Sequence, residues 1–377
     1  MQPQYDISIV GGGLGGLCLA LLGADAGYAV ALFEKETYPF HKVCGEYISL
    51  ESYDFLMLLG LPLQDWNLPL IKKLQVSDVK GTIYNFPLDL GGFGISRYRI
   101  DNALYELAKQ KAVSIFTNEK VNDIRFENDN QIIQTNKKNV TARIVAGAFG
   151  KRSNLDIKWK RDFTEKKVSK LNNYIGVKYH VHTNFPKDVI ALHNFKNGYC
   201  GISAIEENKY CLCYLTNAEN LSTNNNSIKQ MQENVLYKNS VLRKIFNESE
   251  FIFKEPLTIS QISFDQKTQQ ENHVLMIGDA AGMITPLCGN GMSMAMHSAK
   301  LAFAEMNNYL QRKISRKEME GNYMSAWKKK FSVRLLTGRL VQKLMGNESS
   351  TGIFLKLMDV FPVMSKKIIR LSHGKPF

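Results

Sequence analysis

The residues best placed to do chemistry are Gly11, Gly13 and Gly16, with Leu14 and Gly15 between them, and an acid, Glu34, that closes a second apolar run. Glycines at these intervals let the backbone approach a diphosphate. The helix they open turns its unpaired N–H groups and the positive end of its dipole toward that group. An acid about 20 residues further on can accept hydrogen bonds from a ribose diol and disfavours a ribose phosphate. Lys35, next to the acid, is counted with the same binding group.

Two later stretches extend this pattern. Gly278-Asp279 ends a strand in a carboxylate, at the sheet edge where ligands of open α/β folds bind, and such a carboxylate can bond a polyol such as ribityl. Beyond Pro286, the turn Gly289-Asn290-Gly291-Met292 opens a long helix. Its N-terminus favours negative charge by about 0.3–1 kcal/mol. A reduced flavin carries its anion at the pyrimidine edge, so two anion-facing helix ends point to FAD rather than NAD.

The elements that must hold these residues follow from periodicity. Tyr5 to Val10 reads as a buried strand, Leu17 to Ala26 as a helix and Ala29 to Phe33 as a second strand. A helix starts at Arg97 to Asp101, with Leu104, Leu107 and Ala108 on its apolar face. A strand from Val113, a hairpin over Val121 to Thr135 and a strand from Arg143 to Phe149 come next. His273 to Ile277 is the strand that delivers Gly278. Between them, Tyr174 to Phe264 alternates like antiparallel strands, interrupted by a surface helix expected over Ile228 to Phe246. The expected architecture is α/β: a Rossmann-like FAD-binding domain (1–60, 97–160 and 270–330), an inserted antiparallel β-sheet substrate domain (61–96 and 161–269), and a basic helical C-terminal segment (331–377).

Composition narrows the classes. Hydrophobic residues make up 44% and charged residues 22%, which supports a large core and excludes global disorder. None of the six cysteines forms a Cys-x-x-Cys pair, and no metal-ligand cluster is evident, so no metal is expected; the thiols read as reduced, in a cytoplasm. The apolar run Ile7 to Leu32 lacks a basic leader, carries Asp25 and is rich in glycine, which argues against a signal peptide or a spanning helix. The net charge is +13, and from residue 328 onward eleven Lys or Arg face two acids, a local surplus of +9. Basic amphipathic helices of this kind either lie peripherally on an anionic membrane or pack on the two domains with a solvated basic face. Nucleic acid is disfavoured, because no aromatic residues interleave with the cations.

The glycine turn with Glu34, Lys42-Val43-Cys44-Gly45-Glu46, Arg97-x-x-x-Asp101, Gly278-Asp279-Ala280-Ala281-Gly282, Pro286 and Gly289-Asn290-Gly291-Met292 together resemble the geranylgeranyl reductase branch of FAD-dependent oxidoreductases. That branch is related to para-hydroxybenzoate hydroxylase and the flavin halogenases. The resemblance covers about residues 5 to 310. It implies an antiparallel sheet roofing the flavin, Arg97 at the pyrophosphate, Val121 offering backbone to adenine, Asp279 on ribityl and the Gly289 turn against the isoalloxazine. Lys42, Cys44, Gly45 and Glu46 would line a loop near the ring. Two departures stand out: Gly147-Ala148-Phe149-Gly150 lacks the Asp-Gly pair of relatives, which weakens any NADPH contact assigned there. The three tryptophans also form no Trp-x-Trp pattern, which argues against halogenation.

The cofactor carries the chemistry in such proteins, so catalytic side chains are harder to assign. Cys44, Cys288 and Lys42 are the candidates, with small apolar packing the preferred role for the two thiols and a core or surface role preferred for His297. Tyr174, Tyr179, Phe195, Tyr199, Tyr210, Tyr214 and Phe264 form an aromatic-rich set suited to lining a pocket for a small apolar substrate, aromatic or lipid-like, with about half of them expected in the core instead. The expected activity is hydroxylation by an NADH- or NADPH-dependent monooxygenase, the alternative is reduction of prenyl double bonds, and a third reading is a flavin-binding redox sensor without turnover.

Overall fold

The computed structural model describes residues 4–165 and 173–377, so the stretch 166–172 at one expected domain boundary lies outside the described residues. Near-continuous Val, Ile and Leu runs form a parallel sheet, because such strands must be buried on both faces. Its order is β16 (Gln270–Glu271), β17 (Val274–Met276), β9 (Asn139–Gly147), β1 (Tyr5–Val10), β2 (Val30–Phe33) and β6 (Ser114–Phe116). The pairs from β17 to β6 are parallel, and the hairpin of β7 (Val121–Glu127) and β8 (Asn130–Thr135) joins antiparallel through β9. Against this sheet pack α1 (Leu14–Asp25), α3 (Arg97–Gln110) and α9 (Gly291–Leu310). The first strand, helix and second strand fall where the sequence predicts them, and α1 starts three residues earlier, at Leu14.

The second sheet runs β14 (Glu250–Phe251), β10 (Tyr174–His182), β13 (Tyr210–Asn217), β12 (Gly198–Ala204), β11 (Val189–Phe195), β4 (Leu70–Ser77), β5 (Ile83–Gly94), β3 (Tyr47–Ser49), with β15 (Leu257–Ile262) also on β10. Three details differ from the sequence reading. The sheet is antiparallel except where β4 and β11 run parallel, since a long excursion separates them. Residues 47–49, counted with the FAD-binding part, are the edge strand of this sheet, paired with β5. The helix expected over 228–246 is two, α7 (Ile228–Asn234) and α8 (Ser240–Glu248), because Asn239 turns its side chain back to cap the second at Val241 and Leu242.

Short helices α2 (Tyr53–Leu58), α4 (Asn154–Lys158), α5 (Asp162–Glu165) and α6 (Ala218–Ser222) link these layers. The C-terminal segment is α10 (Arg316–Leu344), α11 (Glu348–Val360) and α12 (Pro362–Ser372). A Ser315–Glu318 capping box starts α10, so the helix begins before the boundary expected at 331. Leu355 and Met358 of α11 share a core with Val76, Phe86, Leu192 and Tyr199 of the second sheet, so this segment packs on that sheet.

Candidate functional site

The glycine turn is built by exclusion of side chains. Gly11 sits at φ +106°, where a Cβ would lie 2.5 Å from the Ala148 carbonyl oxygen, and a Cβ on Gly16 would lie 2.0 Å from the Gly11 oxygen. Gly13 caps α1 without a side-chain hydrogen bond, which leaves the first N–H groups free for a ligand. Two cations stand over that end: Arg97 Nη2 and Lys42 Nζ lie 3.6 and 3.7 Å from the point a Gly13 Cβ would occupy. Asp101 holds both, through Arg97 Nε at 2.8 Å and Nη2 at 2.7 Å and Lys42 Nζ at 3.1 Å. Burial pushes the Asp101 carboxyl up, but Arg97 and Lys42 outweigh it and hold it below its ordinary value. One acid for two cations leaves a surplus positive charge at a helix N-terminus, the electrostatics a diphosphate requires. Lys42 Nζ therefore stands over the glycine turn, where the family resemblance implied a place near the ring.

Glu34 is buried and accepts hydrogen bonds from the Gly12 N–H at 2.8 Å and the Glu36 N–H at 3.1 Å. The Tyr38 hydroxyl donates to the Gly12 carbonyl, and its ring stacks on Tyr105 at 4.4 Å. Tyr38 thus braces the turn from the ribose side, a role with no signal in its sequence position. Lys35 points to solvent, 68% exposed, and pairs with Glu36 at 3.7 Å. Val121 is buried, and its carbonyl already accepts from Asn154 Nδ2 at 3.1 Å.

The second and third groups converge on the first. A Cβ on Gly15 would meet the Ala295 oxygen of α9 at 3.1 Å, and one on Gly278 the Ala295 Cβ at 3.2 Å. These contacts bring the N-terminal ends of α1 and α9 side by side. Asp279 is half-buried; burial pushes its pKa up, against Lys267, Arg97 and Lys151. Lys267 donates to the Asp279 and Lys151 carbonyls at 2.8 and 2.6 Å, and burial lowers its pKa to about 8. Pro286 starts the short turn before Gly289, which takes φ +63°. At the mouth of α9, Asn290 Oδ1 and Ser293 Oγ are buried without a partner, while Asn290 Nδ2 donates to the Ser372 carbonyl at 2.9 Å. Met292 is buried behind Gly291 on the first turn of α9. A glycine cradle under two cations and a helix end with orphaned polar atoms fit the diphosphate and the ring edge of FAD.

Sequence reasoning missed the brace behind the Cys44-Gly45-Glu46 loop. Fully buried Glu46, at φ +55°, accepts from the Arg97 N–H at 2.8 Å and from Lys178 Nζ, and meets His180 Nε2 at 2.6 Å. Burial would raise its carboxyl; Lys178 and His180 instead lower it to about 2. Lys178 also donates to the Lys42 carbonyl at 3.0 Å, Ser203 to that of Gly45 at 3.2 Å and Cys211 to that of Cys44 at 3.2 Å. The second sheet thus grips the loop by its backbone. Polar atoms of Glu46, His180 and Cys211 lie within 4.8 Å of one another. The Lys178 ammonium already occupies Glu46, and burial holds the Cys211 thiol protonated, so this cluster is a hydrogen-bonded brace and poorly suited to a cation.

Beside the Gly289 turn lies a largely apolar cavity of about 80 Å³. Leu74, Val76, Ile190 and Leu192 form its floor, Tyr47 and Cys288 one end, and Val341, Leu355, Met358 and Ile369 its outer wall. The aromatic set expected to line it divides. Tyr174, Tyr199 and Phe264 belong to the core around the cavity, whereas Tyr179, Phe195, Tyr210 and Tyr214 face the opposite side of the sheet, under α7 and α8. Strand alternation decides this, since neighbouring residues point to opposite faces. Burial raises the Cys44 thiol and pushes Cys288 up to about 11, so neither is a ready thiolate. Tyr47 Oη is buried without a partner. His297 is a core residue, stacked on Phe377 at 3.9 Å and lowered to about 3 by burial and by Lys330, Arg334 and Lys300.

Comparison with known proteins accords with this geometry. The family described as FAD binding domain matches residues 4–313. Conditioned medium factor receptor 1 of Dictyostelium discoideum is 24% identical, over 88% of this chain and 68% of its own length. The flavin-dependent brominase Bmp2, as a triple mutant, superposes with a TM-score of 0.80 at 16% identity, over 98% of this chain and 94% of its own. A geranylgeranyl bacteriochlorophyll reductase-like protein from Thermoplasma acidophilum gives 0.73 at 18% identity, over 98% and 92%.

Proposed function

Because this chain belongs to the FAD binding domain family and is an FAD-dependent oxidoreductase, we propose that its substrate is a largely apolar molecule that places its reacting end in the apolar cavity beside the Gly289 turn. The cavity carries this reading: its lining is mostly apolar, with Tyr47, Thr337, Ser372 and His373 the polar members, and it adjoins the helix mouth assigned to the ring. When bound, FAD supplies hydride transfer or the activation of dioxygen. Gly11, Gly13, Gly16, Arg97 and Lys42 would hold its diphosphate, Glu34 its ribose, Asp279 its ribityl chain, and Gly289 to Met292 its ring edge. NADH or NADPH is the proposed electron donor.

The wall chemistry favours reduction of an isolated double bond. That reaction needs a proton for the carbon that receives no hydride. Tyr47 Oη and Cys288 Sγ both keep their protons at neutral pH, because burial raises each pKa, and Tyr47 Oη has no competing partner. Tyr47 is the preferred donor. The same dry lining suits hydroxylation, the second reading, since excluding water protects a reactive oxygen species from loss. A phenolic substrate would further require a base; of the titratable cavity residues Tyr47, Cys288 and His373, it is His373 that offers one, at Nε2, because its Nδ1–H donates to the Ile369 carbonyl at 2.9 Å.

The test is to reduce the FAD-loaded protein without oxygen, add a prenyl lipid, and follow flavin reoxidation together with product mass. Reoxidation with hydrogen gained by the lipid supports reduction. Label from isotopic dioxygen in the product, seen only on aeration, supports hydroxylation. Reoxidation that no apolar substrate changes would overturn both and leave the redox sensor.

A further inference from the structure

We propose that the outward faces of α10, α11 and α12 form a docking surface for an anionic lipid bilayer. Of the sixteen large apolar side chains that are exposed among the described residues, ten lie between Val333 and Leu371. Monomeric soluble proteins rarely leave such residues clustered. Helical geometry shows that they are ordered as well as concentrated. On α10, Val333, Leu336, Leu340 and Leu344 recur at three- and four-residue steps, a single stripe, with Lys329 and Lys343 on the same side. The core-facing Phe331, Leu335 and Gly338 lie across the helix from them.

On α11, Ile353, Leu357 and Val360 form a second stripe flanked by Lys356, opposite buried Leu355 and Met358. On α12, Val363, 83% exposed, shares its face with Lys366, Lys367 and Arg370, opposite buried Ser365 and Ser372. The three helices pack on one another. Among the described residues no helix is long and apolar enough to cross a membrane, so the surface would lie on the bilayer.

Charge selects the occupant. With Arg334 set aside, since it is buried and paired with Glu51, ten cations against two acids leave a surplus of +8, complementary to anionic headgroups, while the apolar stripes fit the acyl boundary beneath them. A second copy of the chain docking by two-fold symmetry would bring the same surplus against itself. The inner faces of these helices supply Val341, Leu355, Met358 and Ile369 to the cavity, so one layer of helix separates it from the docking surface. The docking proposal stands on these faces alone and does not depend on the reaction assigned above.

The test is co-sedimentation of the FAD-loaded protein with vesicles of phosphatidylcholine alone or mixed with phosphatidylserine. Binding is expected to the mixed vesicles, weaker to the neutral ones, and falling as added salt screens the charge. Leu336→Glu with Leu340→Glu, and separately Lys366→Glu with Lys367→Glu, should each weaken it by about tenfold or more. All four positions are exposed, so flavin content should stay at the wild-type level and certify folding. No binding to either vesicle, equal binding to both, or binding that the substitutions leave unchanged would overturn the proposal. So would a concentration-dependent dimer that Val363→Glu abolishes, since that would assign the face to a second copy.

Discussion

The glycine turn and the aliphatic cavity lie at two ends of one site and are built on opposite principles. The turn works by fixed backbone: its ligand-facing groups are N–H dipoles and two cations locked by Asp101, and side chains are excluded on the scale of a single Cβ. The cavity works by side chains alone, drawn from the second sheet and three C-terminal helices, with no polar grip along most of its length. A site of the first kind tolerates almost no change and recognises one chemical group. A site of the second kind tolerates volume-conserving exchange, and its specificity is one of length and shape.

The largest expected effect tests the backbone half. Gly16→Val would force a branched side chain into the Gly11 carbonyl, and the protein should purify without flavin absorbance. A holoprotein with ordinary flavin content would break the assignment of this turn. Next comes the brace between the two halves. Glu46→Gln leaves Lys178 buried without its partner charge, a change that typically costs about 3–5 kcal/mol and would appear as a large fall in melting temperature.

The same carboxyl sets a pH dependence. Its folded value of about 2 lies below the ordinary 4.5, so its contribution is complete above 4.5 and is lost as the pH falls toward 2. Acid unfolding of the wild type followed by circular dichroism should be steep across that window, and Glu46→Gln should flatten it. In the cavity, Tyr47→Phe keeps the ring and removes the orphaned hydroxyl, so flavin content should be unchanged while turnover of an apolar substrate falls about 100-fold or more. Unchanged turnover would exclude Tyr47 as proton donor and sharpen the case for Cys288. Smallest of all is Lys35→Ala: the side chain is solvated, and flavin affinity should stay within about twofold, the range of a neutral surface change.

The cofactor half was readable from the chain because its signals are local. Gly11 to Gly16, Glu34, Gly278-Asp279 and the Gly289 turn each announce a backbone event within a few residues of themselves, and the periodicity around them marks strand or helix. The substrate half was read only in outline. Its strands were recognisable, yet an aromatic in a strand buried on both faces carries no mark of which face it joins, so that it is Tyr179, Phe195, Tyr210 and Tyr214 that turn away from the cavity was not legible. Lys178, His180, Ser203 and Cys211 are unremarkable strand residues in sequence, and their bonds to the 42–46 loop span more than 130 positions.

What the sequence determined by itself, then, is the nucleotide-binding motif and the order of elements around it, because glycine conformations, helix dipoles and hydrophobic periods are properties of short stretches. Only the tertiary structure decided that Lys42 stands over the glycine turn, that Glu46 is gripped from the second sheet, and that α10 to α12 complete the cavity. Each of those outcomes depends on which surfaces meet, and a pairing of distant surfaces is set by the sum of burial over the whole chain.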